Sequence, residues 1–454
     1  MESNQNRAEA DGMDKKKRKD MTDAERVQLL QRKLYLKAKQ EREYKFYVLY
    51  DKLFLAHILR ESWKRVKSND GKGGIDKQSI EDIEAKGVKE FLQEISEELR
   101  KQTYNPNAVL RAWIEKENGS KRPLGIPIIK DRVVQMACKL VIEPIFEADF
   151  EDSSYGFRPK RSAQDAIKAV KEQLQEGSTE VYDADLSSYF DTIPHDKLMI
   201  LLRQRISDPR VLKLIHKWLK VPVYEDGEFK GGKKSKEGTP QGGVISPLLA
   251  NIYLNLLDKI INKSTSIYSR TGVKIIRYAD DFVLMSSKLT EEVITRIKEI
   301  LKRMGLTLNE QKTRHIQAKE TPFNFLGFTF RYDKDIFGRQ NRYWNVSTSK
   351  KSMNKTRKKI GNFLDHAGHF PPQAVSKGLN EIIRGTFNYF DIPGISYVAN
   401  GKRALRHYLN NKLYKYYNRK SQRKSSMYGQ HAFDILVSKY GLIDPTKYSR
   451  VNKL

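Results

Sequence analysis

Cysteine is almost missing: Cys138 is the single one in 454 residues. A lone thiol excludes a disulfide framework and any zinc module built on paired cysteines. It fits a reducing compartment, with the cytosol, most simply a bacterial one, as the default. Cys138 itself lies in the helical-looking run Val133-Val134-Gln135-Met136-Ala137-Cys138 and reads as a core residue. No apolar run reaches transmembrane length and there is no signal-peptide pattern, so no membrane partner is expected. There is no internal repeat. Acidic residues are also scarce, with 56 Asp and Glu against 85 Lys and Arg, a net charge of +29. The shortfall is greatest in residues 350–454, which hold 21 basic and 5 acidic side chains.

That basic region interleaves aromatics: Phe387, Tyr389, Phe390, Tyr397, Tyr408, Tyr414, Tyr416 and Tyr417. Cations among stackable rings suit a polyanion with bases. Residues 1–20 are polar and read as a disordered basic tail. Lys15-Lys16-Lys17-Arg18-Lys19 has the form of a nuclear-import cluster, although such runs are more often solvated or in contact with nucleic acid.

Apolar spacing predicts a basic amphipathic helix starting at Thr22 or Asp23, then helices over 43–66 and 77–101 around a Gly-rich loop at 69–74. Residues 108–128 read as a hairpin with its turn at 116–120. Helices are expected at 130–149, 162–176, 195–204, 209–219, 246–262 and 291–304. Strands are expected at 180–191 (running into a turn), 273–278, 281–286, 313–318 and 325–332. From about 346 onward the pattern is helical. Strands alternating with helices indicate a mixed α+β sheet fold.

The most informative stretch is Tyr278-Ala279-Asp280-Asp281, two adjacent carboxylates between the apolar runs Val273-Ile275-Ile276 and Phe282-Val283-Leu284-Met285. Strand ends rarely tolerate neighbouring like charges unless a cation neutralises them. About 95 residues upstream, Asp185 closes a similar apolar segment, Val181-Tyr182-Asp183-Ala184-Asp185-Leu186. Hard divalent cations prefer oxygen ligands, and two of them about 3.5–4 Å apart stabilise both the attacking and the leaving oxygen of a nucleotidyl transfer. A single Asp-Asp pair could equally be a solvated turn; the flanking segments decide.

Eight blocks appear in one order: Leu34-Tyr35 through Tyr50-Asp51, Arg122-Pro123-Leu124-Gly125-Ile126-Pro127, Ser154-Tyr155-Gly156-Phe157-Arg158-Pro159 and Asp183-Ala184-Asp185-Leu186. Then come Gly238-Thr239-Pro240-Gln241-Gly242-Gly243-Val244-Ile245-Ser246-Pro247, the Tyr278–Asp281 box, Leu306-Thr307-Leu308-Asn309-Glu310-Gln311-Lys312-Thr313, and Phe325-Leu326-Gly327-Phe328. On these blocks the chain resembles a group II intron-encoded reverse transcriptase, or maturase, from about Leu29 to Tyr417, some 85% of its length. The resemblance implies an α+β right-hand polymerase: fingers and palm with a mixed, mainly antiparallel sheet, followed by an α-helical thumb. The implied division is N-terminal extension and fingers at 21–175, palm at 176–345, helical thumb at 346–424 and a short basic segment at 425–454.

The resemblance also implies roles. Asp185 and Asp280 would be the principal Mg²⁺ ligands, with the Leu186 carbonyl facing one ion and Asp281 completing the cluster as the less direct ligand; Mn²⁺ could substitute. Asp183 and Asp191 flank the site. Phe190 matches a steric gate against the 2′-hydroxyl, with core packing as the alternative. Gln241 lies where the incoming nucleotide is contacted, and Gly242 beside it lets backbone approach the substrate. Lys116 and Arg122 match residues that clamp the triphosphate, although Lys121 and Arg122 could exchange roles with Lys116. Lys312 is placed near the primer end or the carboxylates, or is a surface lysine. Arg158 and Arg161 are expected along the template path, with Tyr278 also near template or primer. His195, after Pro194, reads as a helix-start cap.

Ile383-Arg384-Gly385-Thr386-Phe387-Asn388-Tyr389-Phe390 resembles the maturase thumb signature, with Thr386-Phe387 where a Trp-type position is usual. Gly73-Gly74-Ile75-Asp76-Lys77 also departs from the usual Gly-Val-Asp-Gly form. The family's longer members add a DNA-binding segment and an endonuclease with paired cysteines, so an endonuclease-lacking type is expected. The implied function is RNA-directed DNA synthesis from a DNA or RNA primer on an RNA template with dNTPs, by a monomer or homodimer that also binds its structured intron RNA. The alternatives are a domesticated relative in antiphage defence or repair, and an RNA-binding splicing factor with incidental polymerase activity.

Overall fold

The computed structural model describes residues 21–115, 119, 121–232, 235–239, 242–335, 341–418 and 425–449. The expectations for the 1–20 tail and its lysine cluster lie outside these. Thr22 opens the Asp23–Gln40 helix with a capping box, its hydroxyl accepting from Glu25 N while the Glu25 carboxylate accepts from Thr22 N. The stretch predicted as one helix over 77–101 is two, Ile80–Lys86 and Val88–Arg100, because Gly87 between them has φ +113. The helix predicted over 43–66 starts late. Phe46 bridges to Ile206, and the Asp208 carboxylate accepts from Leu49 N and Tyr50 N, both at 2.9 Å, so the main helix is Ala56–Ser68.

The hub of the N-terminal half is the Ile129–Glu147 helix, buried along almost its whole length. It packs against Asp23–Gln40 and Ala56–Ser68, where the apolar faces of all three meet. Its first turn carries Asp131, 1% exposed, which accepts from Tyr104 Oη at 2.6 Å and Asn107 N at 2.8 Å. That contact fixes the chain just before the first strand.

Eleven strands occur among the described residues: β1 Val109–Glu115, β2 Lys121–Ile126, β3 Glu180–Ala184, β4 Pro222–Glu225, β5 Glu228–Gly231, β6 Lys274–Tyr278, β7 Asp281–Ser286, β8 Arg314–Gln317, β9 Phe323–Phe325, β10 Phe328–Lys334 and β11 Arg342–Thr348. They form three sheets, in the orders β2-β1-β4-β5, β6-β7-β3-β8 and β11-β10-β9. Every pairing is antiparallel except β1 with β4. The class is α+β with mainly antiparallel pairing. The β4–β5 hairpin was not anticipated, although its Asp226-Gly227 turn, with φ +51 and +90, is a strong hairpin signal. β11 was also missed, despite the alternation of Trp344 and Val346 into the core.

The helices Lys350–His366, Pro372–Phe390, Ala399–Tyr417 and Ala432–Tyr440 share one apolar cluster. The segment after 425, expected as a separate basic tail, contributes Met427, Phe433, Leu436 and Leu442 to that core. This unit is tied to the Ala163–Gln175 helix. Lys171 Nζ, on a side chain buried in the contact, donates to Gly394 O at 3.1 Å and Ile395 O at 2.8 Å, and Gln164 Nε2 donates to Asn388 O and Tyr389 O. Among the described residues no helix is long and apolar enough to cross a membrane.

Burial pushes the Asp131 carboxyl up to about 6, against the pull of the Tyr104 and Asn107 donors. A raised acid pKa stabilises the fold fully below the unfolded value near 4, and this contribution is lost as pH rises through about 6. The stability advantage of the wild type over Asp131→Asn, from urea midpoints, should therefore be larger at pH 4.5 than at pH 7, by on the order of 2–3 kcal/mol. An advantage independent of pH would contradict this.

Candidate active site

β6 and β7 are joined by a turn of two residues, because Tyr278 pairs with Asp281 and leaves Ala279 and Asp280 at the tip. Ala279 has φ +59. A left-handed conformation costs an L-residue about 1–2 kcal/mol, so neighbours must hold it. One of them is Gly156, where an added Cβ would lie 2.3 Å from Ala279 N. Only a residue without a side chain lets the 154–156 segment pass this close.

The other is Arg277, wholly buried at 0% exposure. Its Nε donates to the two Asp258 oxygens at 2.9 and 3.0 Å, and Nη2 to Asp258 Oδ2 at 2.5 Å and Ser154 Oγ at 2.7 Å. Nη1 donates to Asn251 Oδ1 at 3.0 Å and to the Ala279 carbonyl at 2.8 Å. All five guanidinium N–H groups are thereby satisfied. The Arg277 backbone adds bonds to Ser153 O at 2.9 Å and from Tyr155 N at 2.8 Å. Arg277, Asp258 and Asn251 went unnoticed in the sequence. The available signals were a cation inside the apolar strand Ile275-Ile276-Arg277 and two polar residues on the buried face of the Ser246–Asn262 helix.

β3 lies between β7 and β8. Ala184 pairs with Phe282, so the same register carried one residue further sets Asp185 opposite Asp281. Leu186 bridges Leu308 through bonds made by its neighbours, Asn309 N to Asp185 O at 2.8 Å and Ser187 N to Thr307 O at 2.9 Å, and its own carbonyl takes no part in them. Burial, then the charges of Asp280, Asp185 and Asp183, push the Asp281 carboxyl up to about 6. Asp281 nevertheless keeps one side open to solvent, so water screens part of that repulsion. Asp280 is raised by burial and by Asp185, against its own backbone N–H and the Arg122 charge. Asp183, raised by burial and Asp185, reaches about 6.

Cations flank this cluster. Lys312 Nζ sits 2.9 Å from Asp185 Oδ2 on an otherwise exposed side chain. Arg122, opposite Ile114 on the β1–β2 hairpin, is near enough for its charge to act on both Asp280 and Asp191. Gly242, φ +109, has its backbone against β2, where a Cβ would come 2.4 Å from Gly125 O. Phe190, 8% exposed, meets Tyr189 edge-on at 5.6 Å, and its carbonyl accepts from Thr239 N at 2.7 Å. Tyr278 is half-buried beside Tyr389, whose hydroxyl donates to Leu326 O at 3.0 Å. Burial, Tyr278 and Asp281 push the Tyr389 hydroxyl up to about 12.

Three expectations need amendment. Arg158 is not on an open path. Its side chain is 3% exposed and its guanidinium is spent on Glu147, at 2.7–3.1 Å, and on the Glu151 and Ser154 carbonyls, which leaves no face for a phosphate. Arg161 is more open but is paired with Asp152 and lies over the Tyr155 ring. His195 does not cap its helix; its ring bonds to Gly238 O instead. Lys116 and Gln241 lie outside the described residues.

The donor set fits hard divalent cations: it is all oxygen, anionic, and more crowded with negative charge than Lys312 alone can offset. Among the described residues no three acidic, His or Cys side chains are already closed around one point. The residues that would hold such ions are Asp185, Asp280 and Asp281, with the Leu186 carbonyl.

Residues 114–330 match the family described as Reverse transcriptase (RNA-dependent DNA polymerase), and residues 353–432 match Group II intron, maturase-specific domain. Protein YkfC of Escherichia coli (strain K12) is 40% identical over 271 residues, covering 52% of this chain and 70% of that protein. Group II intron-encoded protein LtrA of Lactococcus lactis subsp. cremoris is 31% identical over 345 residues, covering 62% and 56%. An uncharacterized 91 kDa protein in the cob intron of Schizosaccharomyces pombe is 28% identical over 418 residues, covering 76% and 50%. The chain thus spans about half the length of the latter two.

Replacing one partner of the buried ion pair leaves the other charge stranded. Arg277→Met should cost about 3–5 kcal/mol in unfolding free energy, read from the urea midpoint. Pairing it with Asp258→Leu should recover part of that loss. A single variant as stable as the wild type would show that the pair does not hold this turn.

Proposed function

We propose that this chain, which belongs to the group II intron reverse transcriptase and maturase family, extends a DNA or RNA primer along an RNA template, using Asp185, Asp280 and Asp281 as its catalytic carboxylates. The observation that carries the reading is the meeting of those three side chains, from the end of β3 and the tip of β6–β7, with the Arg122 hairpin within electrostatic reach. In this reading the β2-β1-β4-β5 sheet belongs to the fingers, the β6-β7-β3-β8 sheet is the palm, and the helices from Lys350 to Tyr440 are the thumb.

The primer 3′-hydroxyl attacks the α-phosphorus of a dNTP in line, and pyrophosphate leaves. Divalent cations, two Mg²⁺ in this reading, supply charge stabilisation to the entering and leaving oxygens when bound. The chain's own contribution is positioning and electrostatics. Asp185, Asp280 and Asp281 provide the anionic oxygens. Arg122, with Lys116, holds the triphosphate in a forked, charge-assisted contact. Phe190 lies under the sugar and disfavours a 2′-hydroxyl, and Gln241 and Gly242 contact the incoming nucleotide. Lys312 supports Asp185, while Tyr278 faces template or primer.

The basic helical unit would grip the template–primer duplex and, as in a maturase, structured intron RNA. A groove of about 620 Å³ between Gly327, Ser352, Lys355, Lys359, Thr386 and Tyr389 suits a nucleic-acid backbone. Thr386 replaces a bulky ring there and bonds to Ile382 O at 2.8 Å and to Thr356 Oγ1 at 3.3 Å. The single, buried Cys138 suits work in the cytosol.

Asp280→Ala and Asp281→Ala should each lower extension of oligo(dT) on poly(rA) by about a thousandfold, and EDTA should abolish it. Magnesium should raise the melting temperature of the wild type but not of an Asp185→Asn/Asp280→Asn double variant. Full activity in Asp280→Ala would refute the site. Affinity for RNA should fall steeply with salt. With ~6–10 phosphate contacts the loss is ~10³–10⁵ between 50 and 200 mM, by analogy with duplex DNA. A dissociation constant indifferent to salt would remove the basic helices from the interface.

A further inference from the structure

His195 is a buried histidine with no place in the reaction described above. It is 4% exposed. One ring nitrogen, Nε2, lies 2.6 Å from the Gly238 carbonyl, while Nδ1 is buried with no hydrogen-bond partner among the described residues. A carbonyl only accepts, so Nε2 carries the hydrogen. Protonating Nδ1 would bury an unsatisfied N–H and a charge together. The surroundings agree: burial first, then the nearby Lys220 and His216, hold His195 below its ordinary range against the Gly238 carbonyl and Asp196. The ring is a neutral donor in a fixed tautomer, and it is spent on one backbone carbonyl.

That carbonyl belongs to a short segment stapled to the chain around Phe190. Gly238 N donates to Ile193 O at 2.9 Å, Thr239 N and Oγ1 donate to Phe190 O at 2.7 and 3.3 Å, and His195 N donates to Lys236 O at 3.0 Å. Lys220 donates to Ser235 O at the segment's start. Gly238, φ +92, passes so close that a Cβ would lie 3.1 Å from Asp191 O. The Phe190–His195 segment and residues 235–239 therefore form one hydrogen-bonded frame. It carries the Phe190 ring at one end.

We propose that His195 is a positioning residue for nucleotide selection: its ring locks the Gly238 carbonyl, and through that frame sets the placement of Phe190. This rests on the polymerase reading of the site and on Phe190 as the surface beneath the sugar. His195 does not touch the reacting atoms, so its loss relaxes the fit of the nucleotide without removing the chemistry. Gln is the conservative replacement, since its Nε2 can occupy much the same place as the histidine's.

The test is steady-state extension of oligo(dG) on poly(rC) with dGTP and with GTP, using wild type, His195→Leu, His195→Gln and Asp280→Ala. For His195→Leu the KM for dGTP should rise about five- to tenfold, kcat should stay within about twofold, and the preference for dGTP over GTP should fall severalfold; His195→Gln should restore all three. Should His195→Leu fail to fold, Thr239→Val removes another bond of the same frame and should shift KM and discrimination in the same direction. Wild-type KM and discrimination in His195→Leu, or a fall in kcat alone, overturns the inference. An active Asp280→Ala enzyme would instead overturn the reading on which the inference rests, so the two failures are told apart.

Discussion

One buried cation organises the centre of this molecule. A turn with a left-handed alanine and two carboxylates at its tip is unfavourable on both counts, through backbone strain and through like charges in partial burial. The Arg277 guanidinium answers the first directly by binding the Ala279 carbonyl, and it does so with every other N–H satisfied by Asp258, Asn251 or Ser154. Three elements distant in sequence are thereby fixed to one another: the Ser246–Asn262 helix, the 153–156 segment and β6. A buried ion pair is a poor source of net stability but a strong constraint on geometry, because either partner alone would be stranded. The arrangement of the carboxylates thus depends on buried groups outside the acidic cluster.

Charge is distributed in two opposed ways. The chain carries +29 overall, which draws in polyanions from a distance, yet at its candidate site burial and then neighbouring carboxylates raise Asp183, Asp280 and Asp281 together. Lys312 pairs with Asp185 and eases Asp281 in part, and Arg122 acts on Asp280. The remaining negative charge is what makes oxygen-seeking cations fit. A site fully neutralised by its own lysines and arginines would be more stable and would have no call for them.

Local features of this fold were legible in the sequence wherever periodicity and punctuation suffice. The helix start at Thr22, the β1–β2 hairpin, the helix at 209–219 and the apolar runs of β6 and β7 all belong to that class. The site's core was legible for a related reason, since Asp185 and Asp280 stand at the ends of strong strand signals. What could not be read is burial and long-range partnership. Arg158 sits in Gly-Phe-Arg-Pro, a motif suggestive of phosphate binding, yet Glu147 on the preceding helix claims it. Asp208 looks like an ordinary helix start before Pro209, but its carboxylate also fixes the chain at Leu49 and Tyr50, which is why no helix begins at 43.

The helical unit is not merely appended to the sheet. Gln164 and Lys171 grip the backbone at the end of the Pro372–Phe390 helix, and Tyr389 from that helix stands close enough to Tyr278 and Asp281 to be shifted by them. Thr386 lies one turn earlier on the same face and lines the groove that Tyr389 closes. A small side chain at Thr386 therefore reshapes the groove while the anchor at Tyr389, bonded to Leu326 O, stays where it is. This separates two properties that one helix must serve. The lining at Thr386 and the end nearest the carboxylates at Tyr389 are held by different hydrogen bonds.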